Sequence, residues 1–371
     1  MKVLLVEPYM TGSHAAWAQG YQKYSSCQIK ILGLKGQYWK WRMHGGAVEL
    51  AHQYKKFSWK PDLLLASDML DLSTFLALTR PDTADIPSVM YFHENQLSYP
   101  WSPDDRDVAG KRDHHYGFIN YVSALSADRV FFNSKYHMDS FLGALPRFLK
   151  NFPDYRGLQS IEQIAAKSCV LYLGLDLQAL DSHQSTKGKN RIPLILWNHR
   201  WEYDKNPEDF FKALSILDLE GCAFQVALLG ENFQQMPDIF HSARERLGDK
   251  IVQFGYIDSF ESYAGWLWQA DILPVTSNHD FFGASVIEAI YCGGCPVLPD
   301  RLAYRELLDE SGQSDNFYTD FNEFIEKLKQ MLCQYPDLDC MSLQSRTRKY
   351  DWSEMAPQYD KVLQLIVENR P

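Results

Sequence analysis

Four short strings in this 371-residue chain combine cations, carboxylates, imidazoles and small residues at spacings suited to a phosphate-bearing ligand. The richest is Asn278-His279-Asp280-Phe281-Phe282-Gly283-Ala284-Ser285-Val286-Ile287-Glu288, which follows an apolar run and opens a helical pattern. Gly283 and Ala284 admit a close backbone approach, and the free N–H groups at a helix start favour an anion. Glu288, eight residues beyond Asp280, could accept hydrogen bonds from two adjacent hydroxyls, as on a ribose. The second string runs from Trp197 to Pro207 and carries Arg200 and Lys205, two cations able to neutralise a diphosphate. An ordinary charged loop has the same composition. The third is the turn Tyr9-Met10-Thr11-Gly12-Ser13-His14, in which Gly12 stands without the full dinucleotide fingerprint. The fourth is Tyr91-Phe92-His93-Glu94-Asn95-Gln96-Leu97, where His93 is either a site imidazole or a satisfied structural one.

The elements that must position these strings follow from short apolar runs alternating with helical patterns, the signature of βα units and parallel sheets. Runs at 2–7, 29–34, 62–67, 89–93, 129–133 and 169–173 predict six strands. Between 111 and 128, Phe118, Val122 and Leu125 share one helix face, with His115 and Asn120 on the other. Residues 176–191 are polar and aperiodic and predict a linker. Runs at 194–198, 225–229, 251–254, 272–275 and 296–298 then predict a second set of strands. The fold class is therefore α/β, with two doubly wound domains, and ligands of such sheets bind beyond the carboxyl ends of the strands. Two such domains in tandem would face each other across a cleft. The domains predicted are 1–178 and 190–352, and the family resemblance given below implies that a helix at 353–371 returns to the first.

Composition excludes a disordered or fibrous chain: 46% of residues are hydrophobic and 23% charged. The formal charge of −10 argues at first against an RNA partner. It is unevenly spread, however. Residues 1–175 hold 19 Lys and Arg against 16 Asp and Glu, whereas the remainder holds 18 against 31. Residues 35–60 carry Lys35, Lys40, Arg42, Lys55, Lys56 and Lys60 against Glu49, interleaved with Tyr38, Trp39, Trp41, Tyr54, Phe57 and Trp59. Arg129, Lys135, Arg147, Lys150 and Arg156 add a second basic stretch. Cations for phosphates with rings for splayed bases suit single-stranded RNA, and a solvated face over core aromatics is the competing interpretation. The N-terminus lacks the pattern of a secretory signal and no apolar stretch is long enough to span a bilayer, so a cytoplasmic protein without membrane contact is expected. Seven scattered cysteines predict reduced thiols, and Cys292 with Cys295 predicts a helix-to-strand turn ahead of a metal or redox pair. Residues 101–113 predict a mobile loop over the cleft.

Taken in order, the four strings resemble the GT-B glycosyltransferases of family 4. Asp280 and Glu288 match that family's E-x7-E element with Asp for the first Glu, and Arg200 and Lys205 match its diphosphate-binding pair. Gly230 matches a glycine of the nucleotide pocket, and Gly255-Tyr256-Ile257 the segment beside the base. A closer resemblance, to the tRNA-queuosine alpha-mannosyltransferase family, is carried by Glu7-Pro8-Tyr9, Gly12-Ser13-His14, Trp39-Lys40-Trp41-Arg42, the 91–100 string, Tyr116-Gly117 with Asn120, Phe132-Asn133-Ser134 and His279-Asp280-Phe281-Phe282-Gly283. The resemblance implies a retaining, metal-independent hexosyl transfer without a cofactor. The donor implied is GDP-mannose and the acceptor is the cyclopentene-diol of queuosine in the anticodon of tRNA-Asp. Its implied catalytic residues are His93, Arg200, Lys205 and Asp280. Donor binding would fall to these last three with Gly12, Gly230, Tyr256, Phe281, Phe282, Gly283 and Glu288. Acceptor binding would fall to Lys40, Trp41, Arg42, His93, Glu94, Asn95, Gln96, His115 and Asn120. Asp280 shortens the family carboxylate and leaves the donor hexose open, and sequence does not fix the oligomeric state. Two rival functions are the same chemistry on a small or lipid acceptor and a non-catalytic nucleotide-binding protein.

Overall fold

The computed structural model describes residues 1–102, 107, 115–184, 190–230, 237–309 and 315–369. The chain forms two compact units, Met1–Leu175 with Trp352–Pro371, and Asp176–Asp351. The linker expected at 176–191 is only partly that. Gln178–Asp181 is helical and belongs to the second unit, where Asp181 accepts from Tyr291 and Leu180 from Trp268.

The first unit holds a parallel sheet in the order β2-β1-β3-β4-β5-β6. Its strands are β1 (Lys2–Met10), β2 (Gln28–Lys35), β3 (Leu63–Ser67), β4 (Ser88–Phe92), β5 (Arg129–Phe132) and β6 (Ser168–Val170). β3 and β4 are buried at every residue, as a sheet covered by helices on both faces requires. The second unit repeats the architecture in the order β12-β11-β10-β7-β8-β9, from β7 (Leu194–Trp197), β8 (Gln225–Leu228), β9 (Ile251–Phe254), β10 (Ile272–Pro274), β11 (Cys295–Pro299) and β12 (Phe317–Tyr318). β12 escaped the sequence because two residues display no period.

Three expectations need correction. In the helix His115–Ser126 the buried residues are Gly117, Ile119, Asn120, Tyr121, Ser123 and Ala124, while Phe118 is exposed. Asn120 lies on the core side because its amide serves the backbone, as described below. Cys295 is disulfide-bonded to Cys340, with Cα atoms 5.5 Å apart, so the thiols are not all reduced. The two are 45 residues apart in sequence, and only the fold brings them together. Cys292 does end its helix as expected and stays a buried free thiol. The interleaved rings of 35–60 also divide: Tyr54 is buried in the core and Phe57 and Trp59 pack against it, leaving Tyr38 and Trp41 exposed. Of the predicted loop 101–113, only 101, 102 and 107 lie within the described residues, and Glu231 beside Gly230 also lies outside them.

The C-terminal helix Trp352–Glu368 is bolted into the first unit. The Trp352 indole occupies the space left where Gly20 and Gly174 lack side chains; a Cβ there would come within 2.0 and 2.3 Å of it. Asp360 accepts from the Tyr21 hydroxyl at 2.9 Å and from the Ser26 N–H at 2.8 Å, tying down the last turn of the first helix and the chain just beyond it. Gly174→Ala is therefore expected to destabilise the protein by about 1–3 kcal/mol in denaturant titration through overpacking. Gly143→Ala, where a Cβ meets nothing within 4 Å, should leave stability unchanged or slightly raised.

Candidate active site

In the second unit the turn after β7 and the turn after β10 are sewn together. The Asp204 carbonyl accepts the Asn278 and His279 N–H groups at 2.8 and 3.3 Å, and the Thr276 hydroxyl donates to the Lys205 carbonyl at 2.9 Å. At the seam Lys205 is buried, and its Nζ donates to the His279 carbonyl at 2.9 Å. The same ammonium lies 3.2 Å from Asp204 and 3.3 Å from Asp280. Burial by itself would raise the Asp280 carboxyl; the Lys205 ammonium and the Tyr304 hydroxyl, 3.0 Å away, more than offset this and hold it below the usual carboxylate range. Gly283, at φ +82°, starts the helix Ala284–Tyr291, and a Cβ on it would strike the Tyr304 ring at 2.7 Å. Gly230 is equally constrained, since a Cβ would meet the His199 carbonyl at 2.1 Å.

Around this seam stand two imidazoles, His199 and His279, both lowered to about 4 by burial and then by Lys205. They are neutral at physiological pH and so offer hydrogen bonds without charge. His199 Nδ1 lies 3.3 Å from the Ser285 hydroxyl. Glu288, one turn further along the helix, accepts from the Tyr263 hydroxyl at 2.8 Å, and burial pushes its carboxyl up to about 7. Arg200 is exposed and pairs loosely with Glu202 at 3.5 Å. Phe281 and Phe282 are buried, the former edge-on to His279, whereas Tyr256 is exposed. The second unit thus gathers a buried cation, an ionised carboxylate, neutral imidazoles and a helix N-terminus, a set suited to an anion and its attached polar group.

In the first unit polar groups collect beyond β1, β3 and β4, the carboxyl ends where such sheets take ligands. The 93–98 turn is fixed from four sides. His93 N–H donates to Asp68 at 2.7 Å, its carbonyl accepts from Asn133 at 2.9 Å, and Gln96 N–H donates to Asn120 at 2.8 Å. Asn95 accepts from the Leu97 and Ser98 N–H groups at 3.1 and 3.0 Å. Gln96 in turn donates to Glu94 at 2.9 Å. Asn120 and Asn95 are fully buried and act on this backbone. His93 packs against Trp17, Tyr91 and His14, and burial with the neighbouring His14 keeps it neutral. Its Nε2 and the Asn95 Nδ2 are buried with no hydrogen-bond partner among the described residues.

Beside it, Glu7 and His14 form a buried pair at 2.9 Å. Burial opposes charge on His14, but Glu7, Asp68 and Glu94 prevail and raise it to about 9. Glu7, His14 and His93 are also the three described residues whose ligand atoms lie within 4.8 Å of one another. A cation placed there would have to displace the His14 proton that already balances Glu7. Gly12 adopts φ +51° with open space about it. Of the remaining expected residues, Lys40 pairs with Asp107, Arg42 donates to the Lys35 carbonyl, Trp41 is exposed, and His115 stacks on His44 at 4.4 Å. Sequence reasoning missed Asp68, Asp204, His199, Tyr263 and Tyr304. Asp68 and Asp204 carried a usable signal, each being an acid directly beyond a buried strand or beside a candidate cation. The aromatic partners carried none, because helices distant in sequence supply them.

Glu288 makes a measurable contribution to stability against pH. Its folded pKa of about 7 lies above the ordinary 4.5, so its contribution is full below pH 4.5 and is lost as pH rises through 7. Glu288→Gln should flatten this dependence, stabilising the protein above pH 7 by about 3 kcal/mol, the equivalent of the shift. Parallel wild-type and variant unfolding curves across pH 5–8 would show the carboxyl is not so perturbed.

Comparison with known proteins places this geometry. Residues 2–175 match the family model described as tRNA-queuosine alpha-mannosyltransferase N-terminal. The chain is 34% identical over 351 residues to the tRNA-queuosine alpha-mannosyltransferase of Drosophila melanogaster, covering 90% of this chain and 87% of that protein. It is 25% identical over 197 residues to the GDP-mannose:cellobiosyl-diphosphopolyprenol alpha-mannosyltransferase of Xanthomonas oryzae, about half of each protein (51% and 50%). Among solved structures, sucrose-phosphate synthase of Thermosynechococcus elongatus aligns over 100% of both chains with a TM-score of 0.71 at 14% identity. Anabaena HepE in complex with UDP aligns over 98% of this chain and 100% of its own with a TM-score of 0.67 at 14% identity. The fold is therefore GT-B, and with a one-third-identical relative spanning both units the chain is a glycosyltransferase belonging to the tRNA-queuosine alpha-mannosyltransferase family.

Proposed function

We propose that this protein transfers mannose from GDP-mannose, with retention and without a metal or cofactor, to the cyclopentene-diol of queuosine in the anticodon of tRNA-Asp. The observation that carries this reading is the Drosophila relative's identity across nine-tenths of the chain, both units included. The name of the Xanthomonas relative, which specifies GDP-mannose, supports the donor. A cytoplasmic location belongs to the same proposal. No described helix is long and apolar enough to cross a membrane.

The roles that the family resemblance implies are compatible with where these residues stand. Lys205 and Arg200, with the N–H groups beyond Gly283, face the diphosphate and stabilise the negative charge that grows as the anomeric C–O bond breaks. Lys205 is held in place by Asp204 and Asp280 before any ligand arrives, so little reorganisation is needed. Asp280 stays ionised and accepts from sugar hydroxyls, and Glu288 accepts from the ribose diol. Gly230 and Gly12 admit the nucleotide backbone, Phe281 and Phe282 wall the pocket, and Tyr256 flanks the base. The reacting sugar carbon becomes oxocarbenium-like. The acceptor oxygen bonds to that carbon on the face the diphosphate leaves, and its proton passes to the departing phosphate. His93, neutral and clamped by Asp68 and Asn133, orients the sugar or the acceptor through hydrogen bonding. Glu94 and Gln96 extend from the same fixed turn, and Lys40, Trp41, Arg42 and His115 meet the RNA.

The test is incubation of queuosine-bearing tRNA with GDP-mannose and with other hexose donors, followed by nucleoside mass analysis. A gain of one hexose from GDP-mannose alone, absent with tRNA lacking queuosine, is expected. Lys205→Ala should lower this transfer by about 100-fold or more, the usual cost of losing a transition-state charge partner. Failure to label queuosine with any donor, or wild-type turnover in Lys205→Ala, would overturn the assignment.

A further inference from the structure

Among the described residues one aromatic side chain stands in complete exposure, and its backbone is strained there. Tyr155 is 99% exposed and sits at φ +42°, in the left-handed region that residues other than glycine rarely occupy. The loop that carries it, between the helices Lys135–Lys150 and Ser160–Ala166, is anchored rather than loose. Arg156 Nε donates to the Phe152 carbonyl at 2.9 Å on one side of the ring. On the other, Ser160 N–H donates to the Gly157 carbonyl at 2.8 Å, and the Ser160 and Tyr121 hydroxyls lie 2.8 Å apart. Nothing in the core calls for a tyrosine here, and strain retained at an exposed position is a mark of a working surface.

Its neighbours fit a particular partner. Phe152 and Phe118 are also exposed and meet edge-on at 5.7 Å, so the loop continues a ring surface already begun. Arg147 and Lys150 in the last helical turn, with Arg156 in the loop, set three cations beside it against Asp154. Phe118 belongs to the first turn of the helix His115–Ser126. From that same turn Tyr116 contacts Trp39 at 5.1 Å, at the start of the helix that bears exposed Trp41. Tyr38, preceding that helix, is the other exposed tyrosine with left-handed backbone, at φ 55°. Exposed rings interspersed with arginine and lysine are the arrangement that stacks unpaired bases while pairing their phosphates.

We infer that Tyr155, with Phe118, Phe152, Arg147, Lys150 and Arg156, forms a second single-stranded RNA contact surface besides the Tyr38–Trp41 one. This rests on the proposed tRNA substrate and adds to it a contact that sequence reading had attributed to charge alone. The ring supplies sequence-tolerant stacking and the cations supply the salt-dependent part.

The experiment measures binding of a queuosine-bearing tRNA by fluorescence anisotropy over 50–300 mM salt, for the full chain and its variants. Tyr155→Ala should raise Kd by about 10-fold, the loss of one base–aromatic stack, with an unchanged salt slope, and Tyr155→Trp should restore binding. Arg147→Ala with Lys150→Ala should instead shrink the salt slope by about one to two units. Affinity for GDP-mannose should not change in any of them. A wild-type chain that binds tRNA while Tyr155→Ala binds as tightly overturns the surface and leaves the function standing. A wild-type chain that binds no tRNA overturns both. Unchanged RNA affinity together with altered sedimentation of Tyr155→Ala would assign the rings to a protein contact, and also overturns the inference.

Discussion

The second unit is organised around a single buried ammonium. Lys205 cannot be dry and charged unless carboxylates balance it, and Asp204 and Asp280 do so within 3.3 Å. That requirement fixes much else. It holds the turn after β7 against the turn after β10 and keeps Asp280 ionised despite burial, and the Lys205 charge adds to burial in keeping His199 and His279 neutral. Before any ligand binds, the buried cluster sets one ammonium against two carboxylates, with Arg200 at the surface beside Glu202. On the proposed reading, an incoming diphosphate would meet a cation whose position is already set. The proposed function then accounts for a carboxylate this close to Lys205: it positions the ammonium and would also face the sugar.

The first unit fixes its site mainly through hydrogen bonds to main chain. Asp68, Asn95, Asn120 and Asn133 spend their hydrogen bonds on the backbone of one turn, so that His93, Glu94 and Gln96 stand on a rigid mount. Buried amides with partners on main chain are stabilising, and their loss would be felt as disorder of the turn before any loss of chemistry. The Glu7–His14 pair adds a protonated imidazole next to neutral His93. In both units the polar groups collect beyond strand ends, where a parallel sheet leaves its loops free to carry them.

Much of this was legible in sequence because the strands are short apolar runs buried on both faces, and because their ends carry the chemically distinctive strings. Eleven of the twelve strands were anticipated, with ends shifted by a few residues; β12, two residues long, was not. Lys205, Asp280, Gly283 and Glu288 were legible as a group since one loop and one helix turn hold three of them. What was not legible depends on side chains meeting from afar. Asn120 looked like a surface residue of an amphipathic helix, yet a buried turn 24 residues earlier claims its carbonyl. Tyr263 and Tyr304 come from separate helices to hold Glu288 and Asp280. Cys340 meets Cys295 only through the packing of its loop, and the interleaved aromatics of 35–60 sort into core and surface only once the helix Trp39–Tyr54 has a face.

The measurement that bears most directly on this account is a calorimetric double-mutant cycle for GDP and GDP-mannose on wild type, Lys205→Met, Asp280→Asn and the double variant. If Asp280 holds Lys205 ready for the diphosphate, Lys205→Met should weaken both ligands by 100-fold or more, and Asp280→Asn should cost GDP-mannose more than GDP. The two substitutions should be strongly non-additive, as expected of groups in one buried network. Additive effects, or a Lys205→Met chain that binds GDP as tightly as wild type, would contradict it.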